Sequence, residues 1–314
     1  MQSEMHRRTF VATIAASGVT LAVPPRATAQ TDAGTPAAAE ETTMSDTTPM
    51  TGYADVNGLQ MYYEIHGEGG VPLVLLHGGI STIDVDFSGI LPGLAETRQV
   101  IGIEQQGHGH TGDIDRPLST AQMADDTAAL LQELGFEQAD FVGYSVGAGI
   151  AMELAIRYPE LVRKLVFMTL IVDESGYHPG HLEGMAMMQP EMLTGSPFAE
   201  AYAEVAPNPD DWPALIDKLK QLDAQEFAWP EEEIQAIEAP TLLVMGDSDA
   251  MRPEHMVGLL RLLGGGVPGD LTGLPKSQLA ILPGATHVSL VTERADLLLA
   301  VSTAFLDAPM QHNG

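Results

Sequence analysis

Residues 139–151 read ADFVGYSVGAGIA. An apolar run meets Ser145, and glycines stand around it at positions 143, 147 and 149. A serine in an ordinary loop needs no such clearance. The run 139–143 predicts a strand, and AGIAMELAIRY (148–158), stopped by Pro159, predicts a helix. Gly-x-Ser-x-Gly between a strand and a helix describes a sharp, strained turn. Side chains at Gly143 and Gly147 would collide with the neighbouring strand and helix. Such a turn lifts one hydroxyl to the carboxyl end of a sheet, where open α/β sheets bind ligands. It also aims a helix N-terminus at the same place, which favours negative charge there. Gly149 suits close packing of that helix.

Outward from this turn the same alternation repeats. YADVNGLQMYYEIHG, starting at residue 53, alternates on both sides of Asn57-Gly58 and predicts a hairpin. VPLVLL (71–76), QVIGI (99–103), KLVFM (164–168), TLLVM (241–245) and QLAIL (278–282) are continuous apolar runs, as strands buried on both faces require. Helical patterns lie between them. Ser119 and Gln122 predict a capping box ahead of MADDTAALLQEL, which ends at Gly135. ERADLLLAVSTAFL closes the chain, with apolar residues at Leu297, Leu298, Val301 and Phe305. This order predicts an α/β fold with a mostly parallel sheet and right-handed crossovers.

The alternation lapses from 172 to 237. That stretch holds Met185, Met187, Met188 and Met192, and the aromatics Tyr177, Phe198, Tyr202, Trp212, Phe227 and Trp229. It reads as a helical insertion over one edge of the sheet, between core segments 53–171 and 238–314. Its methionines suit irregular core gaps or the lining of an apolar pocket.

A serine hydroxyl attacks only when a base takes its proton. AILPGATHVSL offers His287 on a loop after the last predicted strand. The imidazole in turn needs a carboxylate to fix its tautomer and stabilise its charged form. TLLVMGDSDAMRPEH offers two just past a strand, Asp247 and Asp249.

With these motifs in this order, the chain from about 53 to 308 resembles the α/β-hydrolase superfamily, in its branch with a capping lid. GYSVG is similar to the family's nucleophile elbow, HGG (His77, Gly78, Gly79) to its oxyanion loop, and PGATH to its histidine loop. The resemblance implies an eight-stranded, mostly parallel sheet flanked by helices, with a helical lid. It places the acid at the last position of Gly-x-x-Asp, hence Asp249 rather than Asp247. It implies catalytic Ser145, Asp249 and His287, with oxyanion donors on the backbone of Gly79 and Val146, and Ile80 as the alternative to Gly79. No cofactor or metal is expected. The expected reaction is hydrolysis of a small neutral ester or lactone through an acyl-enzyme. The same residues also support cofactor-free perhydrolysis and carbon–carbon bond hydrolysis, and the fold sometimes serves as a ligand-binding receptor. A carbon–carbon hydrolase should hold a dienol acid through basic side chains, and only Lys218 and Lys220 lie between 172 and 237.

One turn departs from the family pattern. EQQGHGHTGD has Gln106 where arginine is common. His77, His108 and His110 suggest a metal, but no HExxH or carboxylate cluster accompanies them, so a polar turn is expected, with His77 bracing nearby loops. Asp84, Asp86, Asp125 and Asp126 are expected on solvated faces or at caps.

The formal charge is −29, with no cysteine, which excludes disulfides, thiol catalysis and cysteine-bound metals. So acidic a chain repels nucleic acid and anionic lipid. Residues 1–29 begin with Arg7-Arg8, continue with an apolar stretch from Phe10 to Val23, and reach small residues at Ala27-Thr28-Ala29. They resemble a twin-arginine export signal, which implies a periplasmic or secreted protein without stable membrane association once cleaved. Residues 30–52 read as a flexible linker.

Overall fold

A computed structural model describes residues 48–225 and 228–310. The segment read as an export signal, most of the linker, and Phe227 lie outside the described residues. Eight strands form one sheet: β1 (Met50–Val56), β2 (Leu59–His66), β3 (Leu73–Leu76), β4 (Val100–Ile103), β5 (Ala139–Tyr144), β6 (Val162–Met168), β7 (Thr241–Gly246) and β8 (Ser277–Leu282). Their order across the sheet is β1-β2-β4-β3-β5-β6-β7-β8. β1 and β2 are antiparallel, as are β2 and β4, and every other pairing is parallel. The first strand begins at Met50, inside the stretch expected to be linker, because Met50, Thr51 and Gly52 already pair with Ile65, Glu64 and Tyr63. Asn57 and Gly58, at φ 51° and 83°, make the tight reversal that two such residues favour.

The central strands β3, β4 and β5 are buried along their whole length, which explains why they read as unbroken apolar runs. One apolar core lies on each face of the sheet. The capping box does not form. The Ser119 side chain makes no cap bond to the helix Thr120–Glu133, and Gln122 instead donates to Asp126 Oδ1 at 3.2 Å.

Between β6 and β7 the described residues form short helices, including His181–Ala186, Pro197–Val205 and Trp212–Asp223. Only isolated bridges interrupt them, Asp173 with Ala228 and Tyr177 with Met251. Lys218 fastens this cap to the core. Its Nζ pairs with Asp113 at 2.7 Å and donates to the carbonyls of Ile114 and Arg116 at 2.8 and 2.9 Å.

Candidate active site

Because the sheet is parallel here, the ends of β5, β7 and β8 converge, and each carries one of the expected residues. Ser145 follows β5 directly and starts the helix Val146–Arg157. Its backbone sits at φ 54°, ψ −115°, a conformation that L residues adopt at a cost of order 1–3 kcal/mol. The crowding that demands glycine on either side is severe. A methyl group on Gly147 would lie 2.0 Å from the Leu76 carbonyl oxygen, and one on Gly143 would lie 2.3 Å from that of Gly147. Gly149 faces Thr120 and Trp229, so it admits the neighbouring helix and the cap together.

His287 lies past β8, and its Nε2 is 3.2 Å from Ser145 Oγ. Its Nδ1 is 3.0 Å from Asp249 Oδ1, and Asp249 lies past β7 with a fully buried side chain. The same Oδ1 accepts the Met251 N–H at 3.2 Å. Of the two candidate aspartates, only Asp249 reaches the histidine. Asp247 is exposed and accepts the N–H groups of Gly284 and Ala285, which ties down the loop that carries His287. Those bonds hold its pKa below the usual carboxylate range. Tyr144 helps from the other side, donating its hydroxyl to the His287 carbonyl at 2.9 Å.

Val146 is the first residue of its helix, so its N–H has no intrahelical partner. Gly79 packs against it, since a methyl there would lie 3.1 Å from Val146 Cγ2. The peptides on both sides of Gly79 are held by histidines. His77 Nδ1 meets the Gly78 carbonyl at 2.8 Å, while its Nε2 accepts the Gln105 N–H at 3.0 Å. His108 Nε2 contacts the Gly79 carbonyl, and its Nδ1 faces the Gln106 carbonyl at 2.9 Å. Burial pushes both imidazoles down, His77 to about 3, so His77 is a neutral hydrogen-bonding group.

Asp86 and Asp126, expected on solvated faces, are buried. Asp86 accepts the Gly78 N–H and the Ser81 hydroxyl, each at 2.7 Å, and braces the same loop. Burial pushes its carboxyl up to about 6 in spite of those bonds. Asp126 pairs with Arg116, whose Nε donates to Gln106 Oε1 at 2.7 Å. An arginine from later in the turn thus sits against the position where the family pattern carries one.

Ser145 and His287 open into a cavity of about 590 Å³ between the sheet end and the cap. Met185, Met188, Phe198, Leu219 and Trp229 give it apolar walls. Met187 and Met192 point outward, each 69% exposed, so only half of the methionine cluster serves the cavity. Its lining holds four carboxyl groups, Asp86, Glu153, Asp223 and Glu233, besides His181 and His287, and among the described residues no lysine or arginine. Trp229 Nε1–H donates to Glu153 Oε1 at 2.8 Å.

Burial alone pushes Asp223 up to about 6. A carboxyl raised in this way above its ordinary value of 3.8 favours folding below that value, and the contribution is lost as pH rises through about 6. Asp223→Asn should therefore melt higher than wild type at pH 7.5, and the gap should close by about pH 4. Thermal melts across that range decide it. A gap that does not change with pH means that the carboxyl is not the cause.

A family model described as alpha/beta hydrolase fold matches residues 71–206. The "Putative carbamate hydrolase RutD" of Azorhizobium caulinodans is 32% identical over 257 residues, 75% of this chain and 91% of that protein. The 2-hydroxymuconate semialdehyde hydrolase of Pseudomonas sp. (strain CF600) is 30% identical over 211 residues, 60% of this chain and 74% of that one. Among solved structures, the enol-lactonase from Burkholderia xenovorans LB400 superposes with a TM-score of 0.64 at 20% identity, over 82% of this chain and 100% of that one. With its eight-stranded sheet, strand–serine–helix turn and relatives of nearly full length, the chain belongs to the α/β-hydrolase family.

Proposed function

We propose that this protein is a serine hydrolase that cleaves a neutral carboxylic ester or lactone through an acyl-enzyme. The observation that carries the reading is the hydrogen-bonded chain from Ser145 through His287 to Asp249, opening into an apolar cavity without a basic wall. Ser145 Oγ attacks the substrate carbonyl while His287 Nε2 takes its proton. Asp249 holds Nδ1–H and stabilises the imidazolium. The N–H groups of Val146 and Gly79 receive the developing oxyanion, and losing one such donor typically costs about 2.7–4 kcal/mol of barrier. His287 then protonates the leaving oxygen and the alcohol departs. Water attacks the acyl-enzyme with His287 as base, and the acid is released.

Carbon–carbon hydrolysis is the second reading, favoured by the relative named for a muconate semialdehyde. The cavity speaks against it. A dienol acid would bring its carboxylate among Asp86, Glu153, Asp223 and Glu233, and Lys218 is committed to Asp113. A panel of p-nitrophenyl esters of graded chain length, lactones and a dienol acid separates the readings. The expected result is turnover of esters or lactones with a burst of the phenol. Turnover of the dienol acid alone overturns the ester reading.

A further inference from the structure

The cap is joined to the acid-bearing loop by paired backbone. Tyr177 bridges Met251, the His178 N–H donates to the Ala250 carbonyl at 3.3 Å, and the Arg252 N–H donates to the Gly176 carbonyl at 2.8 Å. Met251 is the residue whose own N–H holds Asp249. The start of the cap is therefore fixed relative to the His287–Asp249 pair.

His181 stands four residues after Tyr177, at the first position of a cap helix. Its ring lies against that of Tyr177, with centroids 4.6 Å apart and planes 18° apart, and both residues line the cavity of Ser145. Among the described residues no polar group takes either ring nitrogen of His181. Burial and the charge of His287 hold its pKa below the ordinary value, against the pull of Asp249. In its neutral form, which that shift favours, the ring has one N–H and one lone pair to offer.

An ester bound at Ser145 has two ends. Its carbonyl oxygen belongs to Gly79 and Val146. Its leaving oxygen must lie beside His287 Nε2, the atom that protonates it. Through Tyr177 and its bridge to Met251, His181 stands on the side of the cavity where the acid-bearing loop lies, so it faces the alcohol half. We propose that His181 is the specificity-determining residue of an alcohol subsite, where it hydrogen-bonds a second oxygen on the leaving alcohol. Esters of diols and of hydroxy- or alkoxy-substituted alcohols are then preferred over esters of simple alkanols. The inference rests on the ester-hydrolase reading.

Two nearly isosteric substrates test it, 2-hydroxyethyl hexanoate and propyl hexanoate, with rates normalised to their hydrolysis by hydroxide. Both form the same hexanoyl-enzyme, so deacylation cannot create a difference between them. Wild type should favour the hydroxyethyl ester in kcat/KM by about tenfold, the worth of one net hydrogen bond. His181→Phe keeps a ring beside Tyr177 but no nitrogen, and should bring the ratio to about one. His181→Gln keeps an N–H donor and should retain part of the preference, with melting temperatures checking that both variants are folded. A wild type without preference, or a preference that survives His181→Phe, overturns the subsite and leaves the hydrolase reading standing. Failure of wild type to hydrolyse either ester overturns the subsite, and with failure on the p-nitrophenyl esters and lactones as well it overturns both.

Discussion

Ser145→Ala should lower kcat for ester hydrolysis by on the order of 10⁶-fold, while the protein melts within a few degrees of wild type. The large loss follows from geometry. Ser145 Oγ reaches His287 Nε2 at 3.2 Å, and among the described residues no other hydroxyl bonds that nitrogen. The small change in stability follows from the backbone. Alanine keeps the Cβ, so it inherits the same φ of 54°, and the hydrogen bonds that hold the turn are made by the main chain: Ser145 N–H to the Met168 carbonyl, and Ala148 N–H to the Ser145 carbonyl. Ser145→Gly should lose activity equally but melt higher, because glycine adopts that backbone freely and releases on the order of 1 kcal/mol. A fluorophosphonate should label wild type at Ser145 and neither variant. Labelling or turnover that survives Ser145→Ala removes Ser145 from the mechanism.

Asp249→Asn should cost about 10⁴-fold in kcat. The carboxylate accepts from both His287 Nδ1–H and the Met251 N–H through one oxygen. An amide at this buried position turns its NH2 either toward the histidine and the Met251 N–H or against the Gly246 N–H, which Oδ2 accepts at 3.4 Å. With an N–H facing it, His287 must place its own proton on Nε2, where it can no longer take one from Ser145. Asp247→Asn should stay within a few-fold of wild type, since its amide oxygen still accepts the N–H groups of Gly284 and Ala285. Assaying the two variants side by side is decisive, and the opposite ranking would place the acid at Asp247.

What could be read from the chain, and what could not, divides along the range of the interactions. The buried central strands announce themselves as contiguous apolar runs and β1 and β2 by alternation around Asn57-Gly58, so all eight were legible, although β8, read as buried on both faces, is a half-exposed edge strand. The Ser145 turn was legible because its glycines are local, and His287 because its loop follows a strand directly. Asp86 and Asp126 were misread as solvated because their partners come from elsewhere: Gly78 and Ser81 for one, Arg116 for the other. The capping box failed for a related reason. Gln122 had a second choice one turn along its own helix, Asp126, which Asn57 and Arg116 already hold. His181 carried no sequence signal. Its place at the cavity depends on the pairing of Tyr177 with a loop 74 residues downstream, and one histidine in a methionine-rich stretch has no pattern to betray that.

The acidic lining of the cavity bears on how a catalytic cycle ends. Ester hydrolysis turns a neutral guest into an anion, and on the proposed reading that anion would be born in a chamber that already holds carboxylates and, among the described residues, offers no lysine or arginine. Once His287 has passed on its proton, the newly made acid is held only by neutral N–H donors such as those of Gly79 and Val146, against the repulsion of the wall carboxylates. The charge that discourages an anionic substrate from entering also drives the product out, so accumulating acid competes poorly with fresh ester. On that reading, release is assisted by the same wall that selects.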